Sequence, residues 1–162
     1  TPLQLATMMA RMLNGGIMVR PYLASSLGNK DLTPAIPSER LKLNPTHIAM
    51  IKEGADAVVN SPRGTAHATA VKDPAFAFGG KTGTSQVRRI SMEDRRRGLR
   101  MDSLGWEQQH HALFVGYAPL DNPRYTCAVV IEHGASGAAA AAPVARDLLL
   151  ETQKRQPDKK RG

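Results

Sequence analysis

Near the middle of the sequence lies FGGKTGTSQ, residues 78–86, which brings one lysine, three glycines and two threonines close together. Three interpretations are open for it: an exposed turn, a phosphate-binding loop or one wall of an active site. A P-loop requires Gly-x-x-x-x-Gly-Lys-Ser/Thr, and the position of its first glycine is Ala75. No helical pattern follows the stretch, so the sequence argues against a phosphate-binding loop.

The flanking sequence predicts a mixed α/β, or α+β, fold in which helices pack on an antiparallel sheet. Strands are predicted near 75–87, 112–118 and 125–132, and a turn at 119–123 joins the last two strands as a hairpin. Helices are predicted over 2–13, where Thr1 and Gln4 suit a capping box, from Asn44-Pro45 to just before Ser61, and over about 140–154. One short helical turn, capped within 91–94, is predicted in the long segment that follows the first strand, and 134–137 is predicted to be a turn. Residues 15–43 are interrupted by prolines, and short strands within 17–27 and 40–43 fit them best.

Composition limits the class of protein. The chain has 162 residues, which suits one domain, and its net charge of +8 fits either an anionic partner or simple solubility. The single cysteine, Cys127, excludes an intrachain disulfide, and the apolar run around it predicts a buried structural thiol. No apolar run reaches the length that spans a bilayer.

Neither a metal ion nor a nucleic acid is predicted as a ligand, and no cofactor is implied. His110 and His111 are neighbours on a predicted strand, so their side chains point to opposite faces and cannot share an ion. The remaining histidines are scattered along the sequence. A long insert, roughly 88–110, is basic, but only Trp106 lies near its arginines, so no stacking platform for bases is present. Its arginines are Arg88, Arg89, Arg95, Arg96, Arg97 and Arg100.

The four residues Lys81-Thr82-Gly83-Thr84 match the Lys-Thr-Gly element of β-lactamases and penicillin-binding proteins, and an apolar hairpin and a helix follow them. The stretches TPLQLATMMARMLNGG, KTGTSQV, HHALFVGYAPLDNPRYTCAVVIEHG and SGAAAAAPVARDLLLE carry the same likeness in order. On these stretches the chain resembles the C-terminal half of the transpeptidase domain of class B penicillin-binding proteins, most closely the elongation-type penicillin-binding protein 2. The resemblance implies a partial transpeptidase domain over 1–153 with a β-lactamase/transpeptidase-like fold, and a flexible basic tail over 154–162.

The resemblance implies acyl transfer by a serine enzyme. In the family, a serine attacks the D-Ala-D-Ala bond of a peptidoglycan stem peptide, and an amine of a neighbouring stem then takes the acyl group from the enzyme. β-Lactams trap the same serine. For this chain, the likeness implies that Lys81 is catalytic, as a cation near the substrate carboxylate and the proton-transfer network, and that the Thr82 hydroxyl binds the carboxylate. Gly83 would let a ligand backbone lie close, and Thr84 would give its backbone N–H to the oxyanion hole and its side chain to the carboxylate.

The sequence also departs from the family pattern. The family carries its nucleophile in Ser-x-x-Lys and a proton shuttle in Ser-x-Asn, yet no serine of this chain has Lys three residues on or Asn two residues on. We therefore expect a fragment that is inactive alone, in preference to a separate half-enzyme or a non-catalytic relative. The implied parent is anchored by an N-terminal segment and acts at the periplasmic face of the bacterial inner membrane. Its implied partners are stem peptides, β-lactams and membrane proteins of wall elongation.

Two alternatives remain open. A serine β-lactamase or a β-lactam sensor shares the Lys-Thr-Gly element, although the arginine-rich insert and the strand FVGYAP fit the transpeptidase better. A non-catalytic basic module would use residues 88–100 to bind an anionic wall polymer, lipid headgroups or a partner protein. A solvated loop is the simpler interpretation of the same charges.

Overall fold

The computed structural model of the chain describes residues 1–24, 26–35, 38–99 and 103–157. In chain order its elements are α1 (Pro2–Leu13), β1 (Ser26–Leu27), β2 (Lys30–Asp31), α2 (Pro45–Asn60), β3 (Gly79–Ser85), α3 (Met92–Arg96), β4 (His111–Ala118), β5 (Tyr125–Ile131) and α4 (Ala142–Arg155). Helices together with antiparallel strands confirm the predicted α+β class. Within the described ranges, no helix has both the length and the apolar character needed to cross a membrane.

Local sequence signals set the ends of the first two long helices. The side chain of Thr1 accepts the N–H of Gln4, and the Gln4 side chain accepts from the backbone of Thr1, which closes the predicted capping box. At the start of α2, Asn44 Oδ1 accepts the N–H of Thr46 at 2.9 Å. Both helices therefore begin and end where the sequence predicts them.

The sheet is a three-stranded antiparallel layer in the order β3-β4-β5. Lys81 lies opposite Val115 and Thr84 opposite Ala112, so that β4 is the central strand. β3 is shorter than predicted, because Asp73 Oδ1 accepts the Ala75 N–H at 2.9 Å and winds residues 74–76 into a 3-10 turn. The strand therefore begins at Gly79.

The two faces of β4 are both buried, one mainly against α4 and the other mainly against α1, with α2 contributing to both clusters. Phe114 lies on the face that packs on α4, where Leu149 and Ala145 join the main core with Val59 of α2. Tyr117 lies on the opposite face, in a second cluster with Met9 of α1 and Ala55 of α2. Burial on both faces gives the sheet a fixed position between the helices, and this in turn fixes β3.

The C-terminal helix differs slightly from its prediction. A wide π-helical turn, Gly137–Ala141, precedes α4, and Pro143 is tolerated in the first turn of α4. The helix continues to Arg155, so Lys154 and Arg155 belong to its last turn and not to the predicted flexible tail. Both side chains pair with Glu151, at 3.1 and 3.7 Å. Residues 158–162 lie outside the described residues.

The segments predicted least well are 15–43 and the insert. The strand predicted within 17–27 is confined to β1 at its end, which pairs with β2, and to a bridge residue, Ile17, which pairs with Arg40; in 40–43 that bridge is what forms among the described residues. In the insert, the predicted helical turn is α3, capped by Ser91 and Asp94. Arg100 lies outside the described residues.

We predict that Leu149→Ala lowers the free energy of unfolding by about 2–5 kcal/mol, because the side chain is 2% exposed and its loss leaves a cavity beside β4. The matched control is Leu148→Ala, whose side chain is 51% exposed. It should change stability by less than about 0.5 kcal/mol. Urea unfolding of the protein that carries this chain measures both, and equal effects would contradict the packing described here.

Candidate functional site

The predicted site residues all lie on β3, which, within the described part of the chain, pairs with β4 and with no second strand. The carbonyl oxygen of Gly79 lies 3.2 Å from the position of a Cβ on Gly116, and the oxygen of Val115 lies 2.6 Å from that of a Cβ on Gly80. Gly79 therefore turns its carbonyl toward β4. Because the direction of backbone groups alternates along an antiparallel strand, the groups that face the other side belong to Gly80, Thr82 and Thr84.

Thr84 offers a backbone donor at this outer side. The Thr84 residue and its neighbour Ser85 are exposed. Among the described residues, no loop or side-chain acceptor receives the Thr84 N–H. An N–H group that faces outward from an exposed strand is available to a ligand.

Lys81 lies one residue before Thr82 and is exposed. Its Nζ donates a hydrogen bond to the carbonyl oxygen of Thr82 at 2.8 Å. The ion pairs found in the described part of the chain do not include Lys81. The Lys81 ammonium group therefore lies beside the outer edge of β3, where its hydrogen-bond acceptor is an uncharged carbonyl oxygen.

The first half of β3 is flanked by the end of α2. Asn60 Nδ2 donates to the carbonyl oxygen of Phe78 at 3.0 Å, and the hydroxyl oxygens of Thr65 and Thr82 lie 3.2 Å apart. Thr82 is accordingly half-buried, whereas Thr84 is exposed. The hydroxyl of Thr82 is thus oriented by α2 and the turn after it, and the strand opens to solvent beyond it.

Gly137 packs against the β3–β4 pair beside Gly83, whereas the sequence predicted only that it lies in a turn. A Cβ on Gly137 would lie 2.4 Å from the oxygen of Leu113 and 2.6 Å from that of Gly83, so the π-helical turn presses directly on the β3–β4 pair. A Cβ on Gly83 itself would meet only Leu113 Cβ, at 3.3 Å. The small-residue run from Gly137 to Ala141 was the available signal for this close packing.

Two histidines that the sequence analysis did not group, His111 and His133, come together at the end of β4 that lies beside Ser85. The rings of His111 and His133 have centroids 4.7 Å apart, and the ring of Trp106 lies 4.4 Å from that of His133. His111 is the register partner of Ser85, one residue beyond Thr84. The β4–β5 hairpin brings His111 and His133 together, and its register was the signal that could have found them.

Other candidate groups are less suited to chemistry. Cys127 is buried, and burial raises the pKa of its thiol to about 11, so it is protonated at neutral pH and is a structural thiol, as the sequence predicts. Arg88 and Arg97 of the insert pair with Asp94 and Glu93 of the same segment at 2.9 and 2.8 Å. In the described residues, no group of three or more His, Cys, Asp or Glu is placed to hold a metal ion.

The sequence of the chain is similar to those of known proteins along almost its whole length. A sequence model of the penicillin binding protein transpeptidase domain matches residues 1–150. A relative from Acinetobacter baumannii, named peptidoglycan D,D-transpeptidase MrdA, is 36% identical over 97% of this chain and 23% of its own length. A relative from Mycobacterium tuberculosis, named peptidoglycan D,D-transpeptidase PbpA, is 28% identical over 97% of this chain and 30% of its own length.

Solved structures agree with this match. The crystal structure of Pseudomonas aeruginosa PBP2 in complex with WCK 5153 superposes with a TM-score of 0.71 at 32% identity, over 94% of this chain and 30% of the other. The complex between PBP2 and MreC from Helicobacter pylori superposes with a TM-score of 0.69 at 20% identity, over 98% of this chain and 25% of the other, and shows the shared fold. The chain spans about a quarter of the length of its first relatives.

We predict that Gly137→Ala destabilises the protein by about 1–3 kcal/mol, because the added methyl group would collide with the backbone of Gly83 and Leu113. Amide hydrogen exchange at Gly83 and Ser85, whose backbone groups face β4, should accelerate with it. Gly105→Ala is the control, since a Cβ there meets no atom within 4 Å. Equal stability of the two variants would show that the turn does not press on β3.

Proposed function

The chain belongs to the penicillin-binding protein transpeptidase family, and we propose that the protein carrying it is a peptidoglycan D,D-transpeptidase that cross-links stem peptides through a serine acyl-enzyme. One observation carries this proposal. Lys81, Thr82 and Thr84 lie on one edge strand, whose open side carries the Thr84 N–H and the Thr82 carbonyl oxygen, and the Lys81 ammonium rests on that carbonyl oxygen at 2.8 Å. This combination suits a peptide that ends in a carboxylate and reacts at a carbonyl.

The open side of β3 suits an extended peptide. A substrate strand can add to a sheet edge through main-chain hydrogen bonds, for which outward-facing N–H and C=O groups are required. Thr82 and Thr84 supply such groups on alternate residues. We propose that the stem peptide lies along β3 in this way, and that Gly83, with no side chain, allows its backbone to approach.

Lys81 and Thr82 are proposed to bind the terminal carboxylate of the substrate. The Lys81 ammonium rests on the carbonyl oxygen of Thr82 at 2.8 Å, an interaction weaker than one with a carboxylate. A carboxylate placed beside it would therefore draw the ammonium away from the carbonyl. The Thr82 hydroxyl, oriented by Thr65, would donate to the same group, and the Thr84 hydroxyl lies on the same strand face.

The Thr84 N–H is proposed as one donor of the oxyanion hole. Negative charge develops on the carbonyl oxygen as the tetrahedral intermediate forms, and a fixed backbone donor stabilises it without reorganisation. The pairing of β3 with β4 and the pressure of Gly137 hold this donor in place. Removing one such donor typically costs a factor of about 10²–10³ in rate.

The nucleophile is proposed to come from residues outside this sequence. No serine of the chain lies in Ser-x-x-Lys or Ser-x-Asn, and the one buried thiol is protonated at neutral pH. The residues present can bind and polarise the substrate but do not attack it. The activity of the whole protein therefore depends on a serine that meets β3 from another segment.

The setting of the reaction is also a proposal. The relatives named above are enzymes of peptidoglycan synthesis by name, and we propose that this protein acts at the periplasmic face of the bacterial inner membrane. The Helicobacter pylori relative was solved in complex with MreC. By analogy, we propose that a wall-elongation protein of that kind is a partner here.

We predict that Thr84→Pro slows acylation by a fluorescent penicillin about 10²–10³-fold, because proline lacks the N–H proposed for the oxyanion hole. Since this N–H faces away from β4, the substitution leaves the β3–β4 hydrogen bonds intact. Thr84→Ala keeps the donor and should lose far less. Stopped-flow or gel-based acylation of the protein that carries this chain tests both variants, and similar rates for the two would contradict the assignment.

A second prediction concerns the chain by itself. Residues 1–162 alone should form no covalent adduct with a fluorescent penicillin, because they contain no Ser-x-x-Lys serine. A version that includes a Ser-x-x-Lys segment should form one and remain acylated, whereas a β-lactamase would release it quickly. A stable labelled band from the 162 residues alone would refute the proposal that the nucleophilic serine lies outside this sequence.

A further inference from the structure

His110, the residue before β4, is a buried histidine that does not belong to the Lys81–Thr84 site. Only 2% of its surface is exposed. Its Nδ1 accepts the backbone N–H of Val87 at 3.2 Å, so Nδ1 carries no hydrogen and the ring hydrogen is on Nε2. Nε2 is buried too, and no acceptor for it is found among the described residues. Because a buried donor without an acceptor lowers stability, an apolar side chain would suit this position better if the residue only filled space.

The imidazole of His110 extends the pairing of β3 with β4 by one further hydrogen bond. The last residue pair between the two strands is Ser85 with His111. The backbone groups of alternate β3 residues face β4, and Val87, two residues beyond Ser85, continues this alternation with its N–H directed to the His110 ring. The ring therefore takes the place of the next backbone acceptor, and it holds the segment in which the chain leaves the strand.

The turn after β5 holds both His110 and the middle of β3. The N–H of Ala135 donates to the carbonyl oxygen of His110 at 2.9 Å, and two residues later Gly137 packs against Gly83. Ala135 has a φ of 60°, in the left-handed region where residues other than glycine are uncommon, so the turn keeps its shape in spite of some strain. The same turn thus contacts the strand before Thr84 through Gly137, and supports the segment after Thr84 through His110.

We propose that His110 is a positioning residue for the oxyanion hole. By holding Val87, its ring fixes the segment that follows Thr84, so that the Thr84 N–H keeps its outward direction. This inference rests on the proposed function, from which the role of the Thr84 N–H comes. A backbone donor stabilises the transition state only if it is already aligned. Without the ring, Ser85 would be the last residue of this segment held by β4, and the chain could twist at Thr84.

The test replaces the ring with side chains that keep or lose the accepting atom. His110→Asn places an oxygen near the position of Nδ1 and should keep the hydrogen bond to Val87. His110→Gln carries its amide one bond further out, near the position of Nε2, and His110→Leu has no acceptor, so both should lose that bond. Because both amides are polar, the comparison of Asn with Gln is decisive even if Leu disturbs folding. His47→Leu is the control, because His47 is exposed on α2.

Stopped-flow acylation by a fluorescent penicillin, in the protein that carries this chain, separates the dissociation constant of penicillin from the rate constant of acylation. In His110→Gln and His110→Leu, the rate constant should fall about tenfold while the dissociation constant changes by less than about twofold, because the alignment of the oxyanion donor is lost and the binding of the carboxylate is not. In His110→Asn and His47→Leu, the rate constant should stay within about twofold of the wild-type value.

Hydrogen exchange at the Val87 amide is a second readout, which does not depend on the reaction. It should accelerate in His110→Gln and His110→Leu but not in His110→Asn. A wild-type rate of acylation in His110→Gln, despite faster exchange at Val87, would overturn the positioning role alone. Acylation as slow in His110→Asn as in His110→Gln would also overturn it. A wild type that penicillin does not acylate would overturn the proposed function, and the role of His110 with it.

Discussion

The one-sided pairing of β3 is the constraint on which the site depends. β4 takes up the backbone groups of alternate β3 residues, and the intervening residues, Thr82 and Thr84 among them, face away from it. An edge strand usually threatens a protein with aggregation, yet here the open side carries a lysine and two threonines. The unpaired backbone groups that make an edge strand prone to aggregation are the same groups that can bind a peptide as an added strand.

Packing of the helices on β4 fixes the position of β3, because β3 is hydrogen-bonded to β4. β4 is buried on both faces, by α4 through Phe114 and by α1 and α2 through Tyr117. Gly137 then presses on the β3–β4 pair from the turn before α4. Because the oxyanion donor must be preorganised to be effective, this packing links the hydrophobic core directly to the proposed chemistry.

Local signals predicted most of the architecture. Caps at Thr1 and Asn44 defined two helices, and the alternating strands around the Lys-Thr-Gly element predicted the sheet. The sequence did not reveal the packing of Gly137 against Gly83, or the tilted ring contact between Trp106 and His133. Both are contacts between segments distant in sequence, created by the position of the turn after β5, and their only signals were indirect: the small residues 137–141 and the register of the β4–β5 hairpin. The strands predicted within 17–27 and 40–43 were also much longer than those observed, which are the two-residue strand β1 and one bridge between Ile17 and Arg40 among the described residues.

The central claim is that the Thr84 N–H receives the reacting carbonyl while Lys81 and Thr82 hold the carboxylate. The most direct measurement is a crystal structure of the protein that carries this chain, acylated by a β-lactam. The account predicts that the acyl carbonyl oxygen lies about 2.7–3.1 Å from the backbone nitrogen of Thr84, with the carboxylate beside Thr82 and the Lys81 ammonium moved from the Thr82 carbonyl toward it. An acyl carbonyl directed away from β3, with Lys81 still on that carbonyl, would contradict it.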